Sequence, residues 1–404
     1  MTLPPSRPQP ATPLSAPSRL AVALAFLHLG CTAYGGLAML APMRRRIVEQ
    51  RQWLAEQDFL DGLALCQMLP GATVVQMATY VGYRLGRTPG SLAAATGFVL
   101  PAFILMLGLS ALYCHYGTLQ WVQAVSRGLN AMVIALLLQA LIGFGRSLGR
   151  EWRAWTVAGL TFLALTLKGP YLLVFLGAAG LRLLLAGGQE AAGGPPEAPG
   201  HGVPRPGVTR LVRQTVAVAA AAVLLSAGLG HWDPILGRMT AIFLKVGAIS
   251  FGGGFVMIPI LQWEVVHHWH WLTLSQFLDG ILLSFVTPGP LIILAVFVGY
   301  WIKGLAGAAL ATGSVFLVPI ALILMLLPFF QYLRGAGWMR PVLQGMVAAL
   351  VGMLALVTAQ MGAGALQGVP DLAILAGAAL ALMVFQWDLL WVALLVAGVS
   401  LLIY

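Results

Sequence analysis

Charge is what this sequence has least of. Lys, Arg, Asp and Glu make up 8% of 404 residues, hydrophobic residues make up 60%, and mean hydropathy is +0.90. Soluble domains carry about 25% charged residues, so a water-surrounded globule is excluded. An all-α polytopic membrane protein is expected. Acidic residues are scarcer than basic ones, 12 against 22. In a membrane chain such an excess collects in cytoplasmic loops, so it does not call for nucleic acid. An anionic substrate would be a second reason for it. The three cysteines, Cys31, Cys66 and Cys114, form no CxxC pair and read as small core residues. That argues against a disulfide framework and a cysteine metal site. No GxxxxGK[ST] phosphate loop occurs, so ATP hydrolysis is unsupported. No cofactor and no enzymatic activity are expected.

What is there is a phrase written twice. FLKVGAISFGGGFVMIP at 243–259 echoes FLHLGCTAYGGLAMLAP at 26–42, with a constant offset of 243 − 26 = 217. Further on, Phe59-Leu60-Asp61-Gly62 returns as Phe277-Leu278-Asp279-Gly280. Pro70-Gly71 returns as Pro288-Gly289, and Gly82-Tyr83 as Gly299-Tyr300. Apolar runs can match by chance, but these Gly and Pro pairs in one order read as an internal duplication. The expected layout is a disordered, Pro-rich tail (1–18) left in the cytoplasm and a first repeat (19–186). A Gly/Pro-rich linker (187–209), a linking transmembrane helix (210–231) and a second repeat (238–404) follow.

The unmatched helix matters for topology. If each half crosses an even number of times, one extra crossing turns the second half upside down, as in inverted-repeat transporters. One reading gives 13 crossings and puts Arg44, Arg45, Arg46 and Arg51 outside, against the positive-inside rule. The other makes the segments with Gly-Gly and Pro-Gly breaks re-entrant, so each half crosses four times. Arg44–Arg51 and Arg84 then share the cytoplasmic face.

The chemistry should sit at the breaks, because exposed N–H groups at helix starts suit an oxyanion. Non-helical backbone at membrane depth also needs a buried or cavity-lining setting. The candidates are Tyr34, Gly35 and Gly36; Pro70 and Gly71; Ser250, Phe251, Gly252, Gly253 and Gly254; and Thr287, Pro288, Gly289 and Pro290. Each break alone reads equally as a kink or close packing. Lys245 and its counterpart His28 could attract an anion; a snorkelling lysine and a core histidine are the plainer accounts. Asp61 and Asp279 are candidate proton carriers or else helix caps. The run Gln262–Trp271 (QWEVVHHWHW) is read as an interfacial aromatic belt and not a zinc site.

With these residues in view, the chain resembles the chromate ion transporter family in its long two-domain form. The resemblance rests on FLKVGAISFGGG, QFLDGILLSFVTPGP and FVGY in the second half, and on WLAEQDFLDGLALCQMLPG and YVGY in the first. The first half reads YGGL and LPGA where the family has FGGP and LPGP. The resemblance implies export of an oxyanion, chromate first and sulfate of similar shape second, across the bacterial inner membrane and coupled to an ion gradient. Protons are the expected coupling ion. A passive anion channel and a non-transporting scaffold remain alternatives. The expected partners are the oxyanion and the lipid bilayer, with no nucleic acid and a homodimer left open.

Overall fold

A computed structural model of the chain describes residues 17–32, 39–117, 119–185, 208–250, 254–327 and 339–404. The described residues hold helices and no strand. The candidate residues Tyr34, Gly35, Gly36, Phe251, Gly252 and Gly253 lie outside them. So do most of the tail and linker; the linking helix α8 spans Val208–Trp232.

In the first half, α1 (Arg19–Thr32) is followed by α2 (Leu40–Arg44), which runs on as a π-helical turn to Gln50. Then come α3 (Glu56–Met68), α4 (Thr73–Tyr116), α5 (Gln120–Ser147), α6 (Trp152–Thr166) and α7 (Tyr171–Leu185). The second half repeats the plan as α9 (Pro234–Ile249), α10 (Met257–Leu261, π-helical to His268), α11 (Leu274–Val286), α12 (Leu294–Leu326), α13 (Met339–Ala365), α14 (Val369–Ala379) and α15 (Leu389–Ile403).

Helices α4 and α12 are not single rods. α4 breaks at Gly86 and Arg87, and α12 at Lys303 and Gly304. A Cβ on Gly82 would overlap the carbonyl of Gly90 and the reverse, and Gly299 and Gly307 meet in the same way. Residues eight apart on a straight helix lie about 12 Å apart, so the chain folds back here. Each helix is a short arm and a long arm. In the first half α3 and the short arm, 13 residues each, reach only about 20 Å, less than the roughly 30 Å hydrocarbon core. Arg84, at the end of the short arm, pairs with Asp58 at the start of α3 at 2.7 Å. Segment 59–83 therefore enters and returns on one side, so the 13-crossing reading is replaced by the re-entrant one.

In the second half the segments flanking the first break also form a hairpin. Lys245 of α9 meets Glu264 beyond α10 at 2.7 Å, and the Arg238 guanidinium lies 4.5 Å over the Trp269 ring. Lys303 pairs with Asp233 at 2.5 Å, so the base of α9 and the fold of α12 share a face. That face is opposite the first half's. The long arm of α4 (88–116) is about 43 Å long. It starts beside the Arg84–Asp58 cluster and ends where Tyr113 contacts Trp301 (ring centroids 6.0 Å apart) and Asp279. The two halves are thus inverted copies. Arg44, Arg45, Arg46, Arg51, Arg84 and Arg87 gather on the first half's face, which the positive-inside rule makes cytoplasmic.

The halves also exchange parts. The α6–α7 hairpin packs on α13 of the second half, and α14 and α15 pack on α5 of the first. A Cβ on Gly345 of α13 would overlap the Ala178 carbonyl, and one on Gly128 of α5 would overlap the Ser400 side chain. A polar clamp closes each exchange. Buried Arg182 bonds Glu151 and Gln344, and Asp371 bonds Arg127 and Tyr404.

Candidate functional site

The breaks meet at the centre, where the halves touch. Leu69 precedes a proline and is extended, which ends α3 at Met68. Pro70 has no N–H to continue the helix. Gly71 then adopts φ +129°, and Gly289, its counterpart, adopts φ +124°. Such backbone suits glycine alone. Space demands it too. A Cβ on Gly71 would lie 2.6 Å from Pro319 Cβ of the second half, and one on Gly289 would lie 2.6 Å from Ala102 Cβ of the first. Each Pro-Gly turn is thus held against the other half's long arm.

The Gly71 N–H donates to the carbonyl oxygen of Ser250, the residue that ends α9. Gly254, at φ +100°, lies against Leu291 and the Ile292 backbone. Three of the four predicted breaks therefore converge; the fourth, at Tyr34–Gly36, is outside the described residues. Thr287, Pro288, Gly289 and Pro290 are all buried there. The Thr287 hydroxyl donates to the Leu283 carbonyl at 2.7 Å. Helices α4 and α10 begin at this point, after Ala72 and Val256, without a side-chain cap. The first N–H groups of α4 are the donors that an anion would use, whereas those of Met257 and Ile258 in α10 already donate to the Gly254 and Phe255 carbonyls.

Gln76, which the sequence reading did not single out, stands one turn into α4 and is fully buried. Its Nε2 donates to the Pro70 carbonyl at 2.7 Å, while its Oε1 has no partner among the described residues. The Ser250 Oγ, also buried, is likewise unpartnered. In the other half the offset of 218 from the Pro-Gly turn sets Gln76 against Leu294 and the offset of 217 from Gly82/Gly299 sets it against Ile293, both buried and apolar.

Lys245 is not at this centre. Its side chain is 44% exposed and its ammonium is held by Glu264, itself 12% exposed. Neither snorkelling nor direct facing of the breaks describes it. His28 is exposed on α1, not core. Cys31 and Cys114 are exposed as well, and only Cys66 is buried. In the aromatic run, Trp269 and Trp271 stack at 5.7 Å and His267 lies 3.4 Å from Gln262.

Asp61 and Asp279 occupy matched places inside α3 and α11, five residues past the helix starts. They are not caps, since Ala55 and Thr273 hold those positions. Their surroundings differ. Asp61 is part-exposed and takes a bond from Gln57 at 3.1 Å. Asp279 is 3% exposed, accepts the Tyr113 hydroxyl at 2.5 Å and faces Ser126, with Oδ1 unpartnered. One turn along α5 from Ser126, Asn130 donates to Ser275, one turn before Asp279 on α11, at 3.0 Å. This polar ladder walls a cavity of about 640 Å³ with Arg127 and Gln367, on the face opposite the arginine cluster.

The family model described as chromate transporter matches residues 20–183 and 237–402, one match in each half. The chain belongs to the chromate transporter family. It is 32% identical over 337 residues to a chromate transport protein of Cupriavidus metallidurans, covering 81% of this chain and 79% of that one. It is similar to an uncharacterized transporter of Methanocaldococcus jannaschii, 29% identical over 85% of this chain and 84% of that one. A probable chromate transport protein of Synechococcus elongatus is 30% identical over 85% of each. No solved structure matches the chain. This family member is a multi-pass inner-membrane protein; among the described residues five helices are long and apolar enough to cross a membrane.

Proposed function

We propose that this chromate transporter family member is a secondary carrier that exports an oxyanion in exchange for protons. Chromate is the substrate named for its relatives and the first choice here; sulfate, a tetrahedral dianion of similar size, is the second. The observation that carries the reading is the junction of Gly71, Ser250, Gly254 and Gly289 between inverted halves. Uncapped helix starts and unpartnered buried oxygens stand at that junction. An interior with no water would leave such groups costly unless something polar came to them. Inversion supplies the rest of the mechanism. A site on the pseudo-two-fold axis can open toward one base and then toward the other by the same motion.

Protons would load at Asp279, a buried carboxylate on a cavity that opens opposite the arginine-rich cytoplasmic face. That placement favours proton entry from outside and anion exit from inside. Asp279 is given the proton role because it is buried on that cavity, whereas Asp61 is part-exposed. The test is chromate flux in vesicles holding the purified chain, with and without an imposed pH gradient. A carrier gives flux that the gradient accelerates, and Asp279→Asn removes the acceleration. Flux indifferent to the gradient means a channel, and no flux means a scaffold; either result overturns the proposal.

A further inference from the structure

The amide of Gln76 is fixed in direction by its own bond. Nε2 faces the Pro70 carbonyl at 2.7 Å, so the amide nitrogen is spoken for and Oε1 turns away from the break. The residue is 0% exposed, and that oxygen has no donor among the described residues. An amide oxygen only accepts. An unfilled buried acceptor therefore asks for a ligand that carries a proton. Across the Pro70–Gly71 turn stands Ser250, tied to it through the Gly71 N–H and also fully buried with an unpartnered hydroxyl. A hydroxyl can donate to an anionic oxygen, as can the N–H groups at the start of α4. The set is mixed: several donors and one obligate acceptor.

We infer that Gln76 makes this centre selective for an oxyanion that still carries one proton, its Oε1 accepting the ligand's O–H while Ser250 and the α4 start hold the charged oxygens. The inference rests on reading the centre as the oxyanion site. It separates the two candidate substrates, which shape and charge do not. Chromate's second ionisation lies close to neutrality, so hydrogen chromate is present at physiological pH. Sulfate loses both protons far below it and has no O–H to offer. A site whose buried polar groups fit one ligand rejects a ligand that leaves them unfilled. The residues meeting around Gly71, namely Pro70, Ser250 and Pro319, bear no titratable side chain. The proton that matters is the ligand's own. The other half carries apolar Ile293 and Leu294 at this place, so the acceptor is a property of one half only.

The experiment compares initial rates of chromate and sulfate in vesicles of the full chain, below and above the second ionisation of chromate. Taking the ratio of the two anions cancels proton supply at Asp279. The unaltered protein should favour chromate by about tenfold or more, and more strongly on the acid side. Gln76→Leu, which makes this position apolar as it is in the other half, should bring the ratio to within about threefold while the unfolding midpoint stays put. Gln76→Met, of similar length but with no amide oxygen, should narrow the ratio in the same way, which covers the case where the leucine variant folds poorly. If Gln76→Leu folds and keeps the ratio, or if the unaltered chain moves both anions equally, this inference falls and the carrier stands. If neither anion moves, the carrier reading falls and takes the inference with it.

Discussion

Gly30 packs under the Phe98 carbonyl in the first half, and Gly247 packs under the Val315 carbonyl in the second. Gly62 lies on the Tyr80 ring, and Gly280 lies on the Phe297 ring. These close approaches of backbone have twins in the two halves, as do the left-handed Gly71 and Gly289. The polar residues do not follow this rule. Gln76 faces Ile293 or Leu294, His28 faces Lys245, and Ile47 faces Glu264 at an offset of 217 or 218. Asp279 is 3% exposed, whereas Asp61 is part-exposed. Packing is all-or-none at these distances, since a methyl group added between helices has nowhere to go. Side chains lining a break are under no such constraint. A duplicated scaffold can therefore keep its symmetry for movement while its chemistry becomes one-sided.

The largest expected effect tests the shared part. Gly71→Ala and Gly289→Ala each put a Cβ 2.6 Å from the other half's long arm on a left-handed backbone. Each should lower stability by about 2–4 kcal/mol, read as a drop in thermal midpoint in detergent. A neutral result at one of the two positions would break the equivalence. Next comes the aspartate pair. Asp279→Asn should cut pH-driven flux by about tenfold or more, while Asp61→Asn should leave it within about twofold. Equal losses would mean that both halves carry protons. A smaller effect is expected between the arms of the α9 hairpin. A double-mutant cycle of Lys245→Ala and Glu264→Ala should give a coupling of about 1 kcal/mol, because the lysine is half exposed. The smallest is a gain. Arg87 holds φ +55° with ψ −150° where the second half has Gly304 at φ +57°. Arg87→Gly should raise stability by about 1 kcal/mol, and a loss would show that the Arg87 stack on Tyr83 outweighs the strain.

The duplication and the breaks were legible in the chain because Gly and Pro act on their own backbone, with no partner needed. Re-entrance was legible only as one of two readings. Choosing between them takes knowing that Arg84 and Asp58, 26 residues apart, touch. Lys245 could not be read alone for the same reason. Its partner Glu264 lies beyond a break, and the hairpin has to close before they meet. Gln76 did leave a signal, a lone amide in the run TVVQMATY where the other repeat is apolar. The ladder around Asp279 draws on α4, α5 and α11, and no local pattern joins those.

Inversion is the claim on which the shared site, the one-sided proton cavity and alternating access all depend. Single cysteines at Gln50 and His267, exposed positions on the bases of the two halves, test it in a background without Cys31, Cys66 and Cys114. An impermeant thiol reagent applied to sealed vesicles of one orientation should label one position only, and the other only once the vesicles are opened. Labelling of both from the same side would make the halves parallel and contradict the account.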